Sequence, residues 1–492
     1  MSPPSSHQRS KSGHTQSSSD LSNHGTDTVE IEVTTRKRSA SGAVVARSAK
    51  HAVVYPENYA SSSEDDCSQT NKYYDSEADD HPLVWKCDKI SSQHSRVFVK
   101  PSMPSILHKQ RVGIAKTSEY HHSTVAPIMS HTSQMRVFKL ATPFDKRVTA
   151  IAWHPKYTRI CAAGSKGGDL VLWDTSKEED LSKDMLKGRG PGGSVQSLVL
   201  DQDNPDIFYT ASIDGIVTRQ LYSDKEGLRK KVFLQTNDWE RWYTGLDISF
   251  SSSLLVAGNN KGFVSLMSLE GEKVWDLRLH KQKCNFVQFS TRQPWMMSTC
   301  SVDKNVKIWD IRNISSKDSA LAVLPHVESV NSAYFSLVSG DKLLTTDQDS
   351  QLRVYQAPSF TSYTTIPHPH RQFQHLTAIK ATWHPLADIV LAGRYPDPKF
   401  PSHQEGELKS IDFFCGATGT SLLNLNQPGF DKITSLSQMN TTGDIMLSAM
   451  SSSMLLWKAK HETQEEGKSS IEDIWPTPQS KRMKKQKKIV EK

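Results

Sequence analysis

The sequence has few of the features that mark disulfide-bonded, zinc-binding or membrane-spanning proteins. Its six cysteines are scattered and no two have C-x-x-C spacing, so the pattern predicts neither a zinc site nor a disulfide framework. This cysteine usage is typical of a reducing compartment. No apolar run approaches the ~18 residues of a transmembrane helix, and the start MSPPSSHQRSKSGH is too polar for a secretory signal. We therefore expect a cytosolic or nuclear protein without membrane contact.

The sequence also lacks the residue sets of common catalytic sites. No nucleophile stands in a recognisable pattern with a base or a metal, so we expect neither enzyme activity nor a cofactor. The string Gly164–Asp169 superficially resembles a phosphate-binding loop, but it lacks the G-x-x-x-x-G-K-[ST] order and precedes a predicted strand. It is typical of a turn between two strands, with Lys166 at its tip. That lysine fits either a sugar-phosphate contact or a solvated turn, and the sequence leaves both open.

The charge and composition separate two tails from the rest of the chain. The net charge is +7, and its excess lies mainly between the tails, which permits a polyanionic partner without establishing one. Residues 1–100 are too polar to bury enough surface to offset their ordering entropy, so we predict a disordered tail. Residues 461–492 predict a second, basic tail. Its run 480–488 is a candidate nuclear import signal or, alternatively, a solubilising end; we favour import and a nuclear location.

From about residue 141 to 460 a strand-forming unit repeats at roughly 45 residues, the spacing of WD40 proteins. Its closing strand recurs at Val171–Asp174, Val217–Arg219, Val264–Leu266, Lys307–Asp310, Arg353–Tyr355, Ile411–Phe413 and Leu455–Trp457. An acidic turn before the closing strand, read as the turn between the last two strands, occurs at Asp169, Asp214, Asp303 and Asp347. We predict an all-β, seven-bladed WD40 β-propeller rather than a β-sandwich with accidental spacing, because single blades need neighbours to bury their faces.

Residues 101–140 have a different pattern. Met135 and Phe138 continue a rough helical spacing from Ile128, and Pro127 stands where a helix could start. We therefore predict a short helical segment that precedes the propeller and lies outside its core.

The loop between two repeats, residues 366–375, contains an unusual combination of proline, histidine, arginine and one aromatic residue. A raised Phe373, flanked by Gln374 and His375, could fill the gap that extruded bases leave in a duplex. The alternative is that Phe373 folds back between blades. His368, His370 and His375 fit no common zinc spacing, and we interpret them as surface donors near phosphates.

The segment 297–312 ends a repeat with Trp309 and Asp310, followed by Arg312 two residues later. An ordinary blade needs Trp309 and Asp303 for packing and for the turn. The arginine is additional, and we expect it on one propeller face, free for a protein partner.

From about residue 100 to 460 the chain closely resembles the WD40 small subunits of the damage-specific DNA-binding protein of vertebrates. The strings that carry this resemblance are Ala141–Asp145, Gly164–Asp169, Ser301–Asp303, Leu343–Gln348, His368–His375 and Gly393–Pro398. Residues 1–100 and the basic run 481–488 lie outside it.

The resemblance implies recognition of ultraviolet photolesions and abasic sites. Phe373, Gln374 and His375 would enter the minor groove as a wedge while the damaged pair flips into a shallow pocket. The candidate contacts to the DNA backbone or the pocket are Lys146, Lys166, Lys283, Arg371, Tyr395 and Lys409. At positions 146 and 409 the family often has arginine; lysine keeps the charge but loses the forked hydrogen bonding.

The resemblance also implies docking onto a large three-propeller adaptor of a cullin–RING ubiquitin ligase, in nucleotide excision repair, with histones as further partners. The matching box comprises Met297, Asp303, Ile308, Trp309, Asp310 and Arg312, with Ile311 where leucine is common. The segment 101–140 would insert into the adaptor. The competing hypothesis is a WD40 scaffold or histone-binding receptor of the same ligase without DNA contact, which would show no DNA phenotype when residues 373–375 become alanine.

Overall fold

The computed structural model describes residues 35–38, 44–47, 112, 117–178, 181–188, 190, 192–370, 377–401, 403–427 and 432–459. The chain divides into two units, Met1–Asp79 and Asp80–Lys492. In the first unit, strands β1 (Thr35–Arg38) and β2 (Val44–Arg47) pair antiparallel. Apart from these two strands, the tail predicted over residues 1–100 lies outside the described residues, as does the tail predicted over 461–492.

The second unit is a seven-bladed β-propeller, as the repeat predicts. The first three blades comprise β4 (Val148–Trp153), β5 (Ile160–Ser165) and β6 (Leu170–Asp174); β7 (Val195–Leu200), β8 (Ile207–Ser212), β9 (Ile216–Leu221) and β10 (Lys231–Gln235); and β11 (Tyr243–Ser249), β12 (Leu254–Asn259), β13 (Phe263–Ser268) and β14 (Lys273–Arg278).

The next three blades comprise β15 (Cys284–Phe289), β16 (Met296–Ser301), β17 (Asn305–Asp310) and β18 (Ala322–Pro325); β19 (Val330–Phe335), β20 (Lys342–Asp347), β21 (Gln351–Gln356) and β22 (Tyr363–Pro367); and β23 (Thr382–Trp383), β24 (Ile389–Gly393), β25 (Ile411–Cys415) and β26 (Ser421–Leu425). The seventh comprises β27 (Thr434–Met439), β28 (Ile445–Met450), β29 (Ser453–Ala459) and β3 (Met135–Ala141).

The strands predicted to close each unit are the third of their blade; the structure describes three strands in the first blade and four in each of the other six. A fourth strand follows in five blades (β10, β14, β18, β22 and β26), and the acidic turns therefore join the second and third strands. The sequence did not predict the outer strands because they are only partly buried. The strand Lys273–Arg278, for example, has no fully buried residue. Such strands lack the regular apolar alternation by which a half-buried strand is recognised.

The ring is closed by a strand from the N-terminal side of the repeats. Strand β3 pairs antiparallel with β29, with Trp457 opposite Val137 and Ala459 opposite Met135. The prediction of helix for Met135 and Phe138 was therefore wrong, because a few apolar residues fit either period when the partner strand is over 300 residues away. Joining both ends of the array in one sheet ties the first and last blades together.

The core consists of apolar clusters at the blade boundaries. Within the described residues seven clusters occur, one for each pair of neighbouring blades. The boundary between the last and first blades contains Trp153 and Leu456, and the boundary between the third and fourth contains Trp309. Each blade thus buries both faces against neighbours, which is why the ring stabilises strands that one blade could not.

Helix α1 (Thr117–Ser133) precedes β3, and Pro127 lies inside it rather than at its start. Val125 and Met129 are buried in the cluster that also contains Phe413 and Trp457. The described end of the predicted helical segment therefore packs against the sixth and seventh blades. In the part of the chain that the structure describes, no helix is both long and apolar enough to cross a membrane.

Antiparallel order within each blade separates the connections onto two faces. Connections between second and third strands, and from one blade to the next, lie at one end; connections between first and second, and between third and fourth strands, lie at the other. We call the first end the basic face; it includes residues 145–147, 166, 283, 380, 409 and 432, most of which are basic. The second is the opposite face, which includes Lys156, Trp295 and Arg312.

Candidate nucleic-acid interface

Basic residues from separate connections meet around one cavity on the basic face. This outer cavity, of about 440 Å³, is lined by Lys146, Arg147, Lys166, Lys409 and Lys432, among others. Lys146 and Arg147 lie in the connection into the first blade, and Lys166 lies in a turn of that blade. Lys409 belongs to the sixth blade and Lys432 to the connection into the seventh. A single carboxylate, that of Asp145, shares the lining. Three of the predicted contact residues therefore lie together, although more than 260 positions separate the first from the last.

A second cavity adjoins the first at the mouth of the central channel. This mouth cavity, of about 320 Å³, is lined by Arg147, Lys166, Lys283 and Lys380 together with neutral polar residues. Both cavities share Arg147, Lys166 and Thr377. Lys283, the fourth predicted contact, thus lies next to the other three.

The glycine-rich turn that presents Lys166 is shaped by packing. Gly168 has φ of +87°, and a Cβ at this position would come within 2.7 Å of the carbonyl oxygen of Gly193. Only glycine tolerates both conditions at low cost. The Lys166 side chain is exposed, while its backbone N–H donates to the carbonyl of Arg147. The rejection of a nucleotide-binding loop at 164–169 agrees with this geometry, since the turn joins two strands.

Two lysines of the mouth cavity are desolvated. Burial lowers the pKa of Lys283 below its ordinary value. Burial, and then the neighbouring positive charge of Lys283, lower the pKa of Lys380 to about 8. Within the described residues neither ammonium group has a carboxylate at ion-pair distance. A cavity lined by such cations attracts a negatively charged ligand.

The loop that bears the predicted wedge starts from two buried histidines. His368 and His370 were expected at the surface, but they are 0% and 1% exposed. Their rings stack with centroids 5.3 Å apart, and Nε2 of His370 lies 2.7 Å from the carbonyl oxygen of Asp347. Burial opposes ionisation of Asp412, but His368, whose Nε2 lies 3.4 Å from the carboxylate, acts together with Ser410 and Arg394 to hold the Asp412 pKa at about 2. The histidines therefore anchor the loop instead of contacting phosphates.

Two further hydrogen bonds fix the loop, one at its start and one just after its end. The N–H of Tyr395 donates to the carbonyl of Pro369 at 3.0 Å, and the hydroxyl of Thr377 donates to the carbonyl of Val148 at 2.6 Å. Tyr395, predicted near the pocket, therefore lies beside Pro369 at the start of the loop. The wedge residues Phe373, Gln374 and His375, together with Arg371, lie outside the described residues.

Comparison with known proteins decides the family. A family model described as "WD domain, G-beta repeat" matches residues 135–174 and 271–310. DNA damage-binding protein 2 of Gallus gallus is 42% identical over 365 residues, covering 72% of this chain and 71% of that protein. The Mus musculus protein of the same name is 39% identical over 358 residues, covering 72% and 81%. The Danio rerio protein is 37% identical over 362 residues, covering 73% and 71%.

The chain belongs to the DNA damage-binding protein 2 family. More distant relatives include Protein DAMAGED DNA-BINDING 2 of Arabidopsis thaliana, 29% identical over 344 residues, with 65% of this chain and 59% of that protein covered. The resemblance found in the sequence is therefore confirmed.

In this member of the DNA damage-binding protein 2 family, most of the predicted adaptor box lies inside its blade. Met297, Ile308 and Trp309 are 0% exposed. Nε1 of Trp309 donates to Oγ1 of Thr299 at 2.8 Å; His280 links that hydroxyl, at 2.8 Å, to the carboxylate of Asp303, at 3.0 Å. Burial works against ionisation of Asp303, but its contacts with His280 and with the N–H groups of Lys281 and Asn305 together outweigh this and lower the pKa to about 2.

The other two box residues reach the surface of the opposite face. The guanidinium of Arg312 donates to both carboxylate oxygens of Asp310, at 2.9 and 2.7 Å, and lies 4.7 Å from the ring centroid of Trp295. The Arg312 side chain is 64% exposed. Of the six predicted residues, four therefore shape the blade, while Asp310 and Arg312 are available to a partner.

The sequence missed three basic residues of this family member's basic face. Arg147 follows a predicted contact directly, so the basic pair Lys146–Arg147 was an available signal. Lys380 stands beside the apolar start of a first strand, where a charge indicates either an edge or a channel. Lys432 offered no local signal. Within the described residues no group of His, Cys, Asp or Glu could hold a metal ion.

Proposed function

We propose that this chain recognises damaged duplex DNA, including ultraviolet photolesions and abasic sites, and recruits a cullin–RING ubiquitin ligase for nucleotide excision repair in the nucleus. The observation that supports this most is the meeting of Lys146, Lys166, Lys283 and Lys409 around two adjoining cavities. The names of the Gallus gallus, Mus musculus and Danio rerio relatives state DNA-damage binding for those proteins.

The cations would supply affinity that does not depend on base sequence. Lysine contacts to phosphates release counterions, and this term dominates non-specific binding. The exposed Lys146, Lys166 and Lys432 surround the outer cavity, so the backbone of a duplex laid on the basic face would meet several ammonium groups. Contacts of this kind position DNA but do not distinguish damaged from undamaged sequence.

The wedge would supply the preference for damage. Phe373 replaces the stacking of extruded bases, while Gln374 and His375 meet the bases left unpaired. Extrusion costs a few kcal/mol and costs less where pairing and stacking are already weakened. The outer cavity, at about 440 Å³, falls within the range of ~300–1,000 Å³ that holds small ligands, and it is our candidate for the extruded bases. The anchored histidines at the loop's base would resist displacement as the wedge enters.

The opposite face would hold the ligase adaptor. Asp310 and Arg312 present a paired, exposed guanidinium beside Trp295, and the segment 101–140 would insert into the adaptor. Since this surface lies across the ring from the cavities, DNA and adaptor would bind without competing. Histones are expected as further partners once the ligase is held at chromatin.

A scaffold without DNA contact remains the second candidate, because the exposed Arg312 surface would serve a scaffold equally well. Gel shifts at several salt concentrations would separate the two. Undamaged, irradiated and abasic duplexes would be compared for the wild type, Phe373→Ala and Phe373→Trp, with Arg312→Ala as a control on the opposite face.

We expect Phe373→Ala to bind damaged and undamaged duplex about equally, and Phe373→Trp to keep a preference because it restores an aromatic surface. Arg312→Ala should behave as the wild type toward DNA. A Phe373→Ala protein that retains the full preference would contradict the wedge. Absence of DNA binding by the folded wild type would favour the scaffold.

A further inference from the structure

The mouth cavity has an unusual charge composition. Four cations line it, those of Arg147, Lys166, Lys283 and Lys380, and no carboxylate is among the lining residues. Concentrating positive charge in a partly desolvated space is unfavourable unless an anion compensates it.

Lys380 is the deepest of these cations. Besides the mouth cavity it lines the channel cavity of about 360 Å³ that continues inward. Its Nζ lies 5.5 Å from the ring centroid of Phe286, and its N–H donates to the carbonyl of Ser435, which fixes the backbone at the junction of the two cavities. The aromatic contact offsets only part of the desolvation of an ammonium group.

The carboxylate of the channel cavity does not compensate Lys380. Among the described residues, Asp247 is the only acidic one that lines this cavity. Its carboxylate accepts a hydrogen bond from the N–H of Phe289 at 2.7 Å, and burial raises its pKa to about 7. Asp247 is therefore partly protonated near neutral pH and lies beyond ion-pair distance of Lys380.

The neutral polar groups of the mouth cavity are already engaged. The hydroxyl of Thr244 donates to the carbonyl of Cys284, and that of Thr377 to the carbonyl of Val148. Nε2 of Gln348 donates to Oδ1 of Asn331 at 3.0 Å. The donors left for a ligand therefore include the ammonium groups of Lys166, Lys283 and Lys380, which favours a multiply charged anion over a neutral or singly charged ligand.

We propose that the mouth cavity is an anion site in which Lys380 and Lys283 bind a compact phosphoryl group. The group could belong to a free anion of the size of pyrophosphate or to a phosphodiester of a DNA strand drawn toward the channel. Both share tetrahedral, negatively charged oxygens. The site uses Lys166 and Lys283 of the proposed DNA interface but is centred on Lys380, and it does not depend on the wedge.

The test is a thermal-shift and calorimetric titration of the full chain with sodium pyrophosphate, against sodium chloride at matched ionic strength. The variants are Lys380→Gln and, as a matched control, Lys432→Gln, which removes a cation from the outer cavity alone. We expect pyrophosphate to raise Tm of the wild type and of Lys432→Gln, and Lys380→Gln to bind it at least tenfold more weakly.

Equal effects of pyrophosphate and chloride on the wild type would overturn the proposal, as would unchanged binding by Lys380→Gln. Folding does not confound the second result, because removing a buried charge should leave Tm without anion equal or higher. Competition then identifies the source: displacement of undamaged duplex by pyrophosphate indicates a phosphodiester, and simultaneous binding indicates a free anion. If a Phe373→Ala protein retained damage preference, the wedge would be contradicted, but the interpretation of these pyrophosphate results would not change.

Discussion

Two patches, one on each face of the propeller, deal with charge in contrasting ways. On the opposite face Arg312 is held by Asp310 in a two-point ion pair, and Lys156 is paired with Asp203. On the basic face Lys283 and Lys380 have no carboxylate at ion-pair distance within the described residues. Exposed ion pairs contribute little stability, so the contrast concerns ligands more than folding. A patch that satisfies its own charges presents a fixed shape, whereas a cavity lined by cations without carboxylate partners selects anions.

The largest expected effect comes from Asp303, a carboxylate that stabilises the fourth blade. Asp303→Asn removes the charge that His280 and the N–H of Lys281 recognise, and we expect a loss of about 2–3 kcal/mol in the free energy of unfolding. Because the folded pKa of Asp303 is about 2 against an ordinary 3.8, its contribution is present above pH 4 and is lost as pH falls toward 2.

Chemical denaturation of the wild type and Asp303→Asn at neutral and acidic pH would measure this. Asp318→Asn, an exposed carboxylate of the same blade, is the matched control and should change stability little. A difference between wild type and Asp303→Asn that does not shrink at low pH would show that the charge of Asp303 is not what stabilises the blade.

Charge reversal on each face tests the contrast directly. Lys283→Glu should weaken DNA binding roughly tenfold or more and lower the slope of log affinity against log salt by about one, since one phosphate contact is lost. Lys156→Glu makes the same change on the opposite face and should leave both within experimental error. Fluorescence anisotropy across a salt series gives both quantities; an unchanged slope for Lys283→Glu would remove it from the phosphate contacts.

On the opposite face the expected effect is smaller and concerns a protein partner. Arg312→Ala should weaken capture of the ligase adaptor about fivefold, because one charge-assisted contact is lost, and should leave DNA affinity unchanged. Arg312→Lys keeps the charge without the fork and should fall between. Pull-down with purified adaptor measures capture; a parallel loss of DNA binding would indicate misfolding, and full capture by Arg312→Ala would place the adaptor elsewhere.

The smallest expected effect is a gain. Lys380→Met should raise the free energy of unfolding by about 1 kcal/mol at neutral pH, because it removes a desolvated charge. The folded pKa of about 8 lies below the ordinary 10.5, so the charged form penalises folding below pH 8 and the penalty declines as pH rises toward 10.5. The gain should therefore shrink over that range in thermal denaturation; a destabilised variant at neutral pH would mean that Lys380 has a compensating partner.

The candidate site shows which positions local sequence can predict and which it cannot. Lys166 could be placed at the tip of a turn, and Arg312 at a blade end, because each depends on its own repeat. His368 and His370 were misplaced at the surface, since their polarity is a local property while their burial depends on Asp412 and on the carbonyl of Asp347, both from neighbouring segments. Lys380 and Lys432 were missed for the same reason.

The sequence by itself determined the number of blades, one recurring strand in each and the family, because each follows from a repeated apolar pattern or from long matching strings. Only the tertiary structure decided that β3 completes the last blade, that weakly patterned outer strands exist, and that cations from residues 146 to 432 surround two cavities. The physical reason is that apolar periodicity reports burial of one strand face, whereas closure of the ring brings together residues that no local pattern relates.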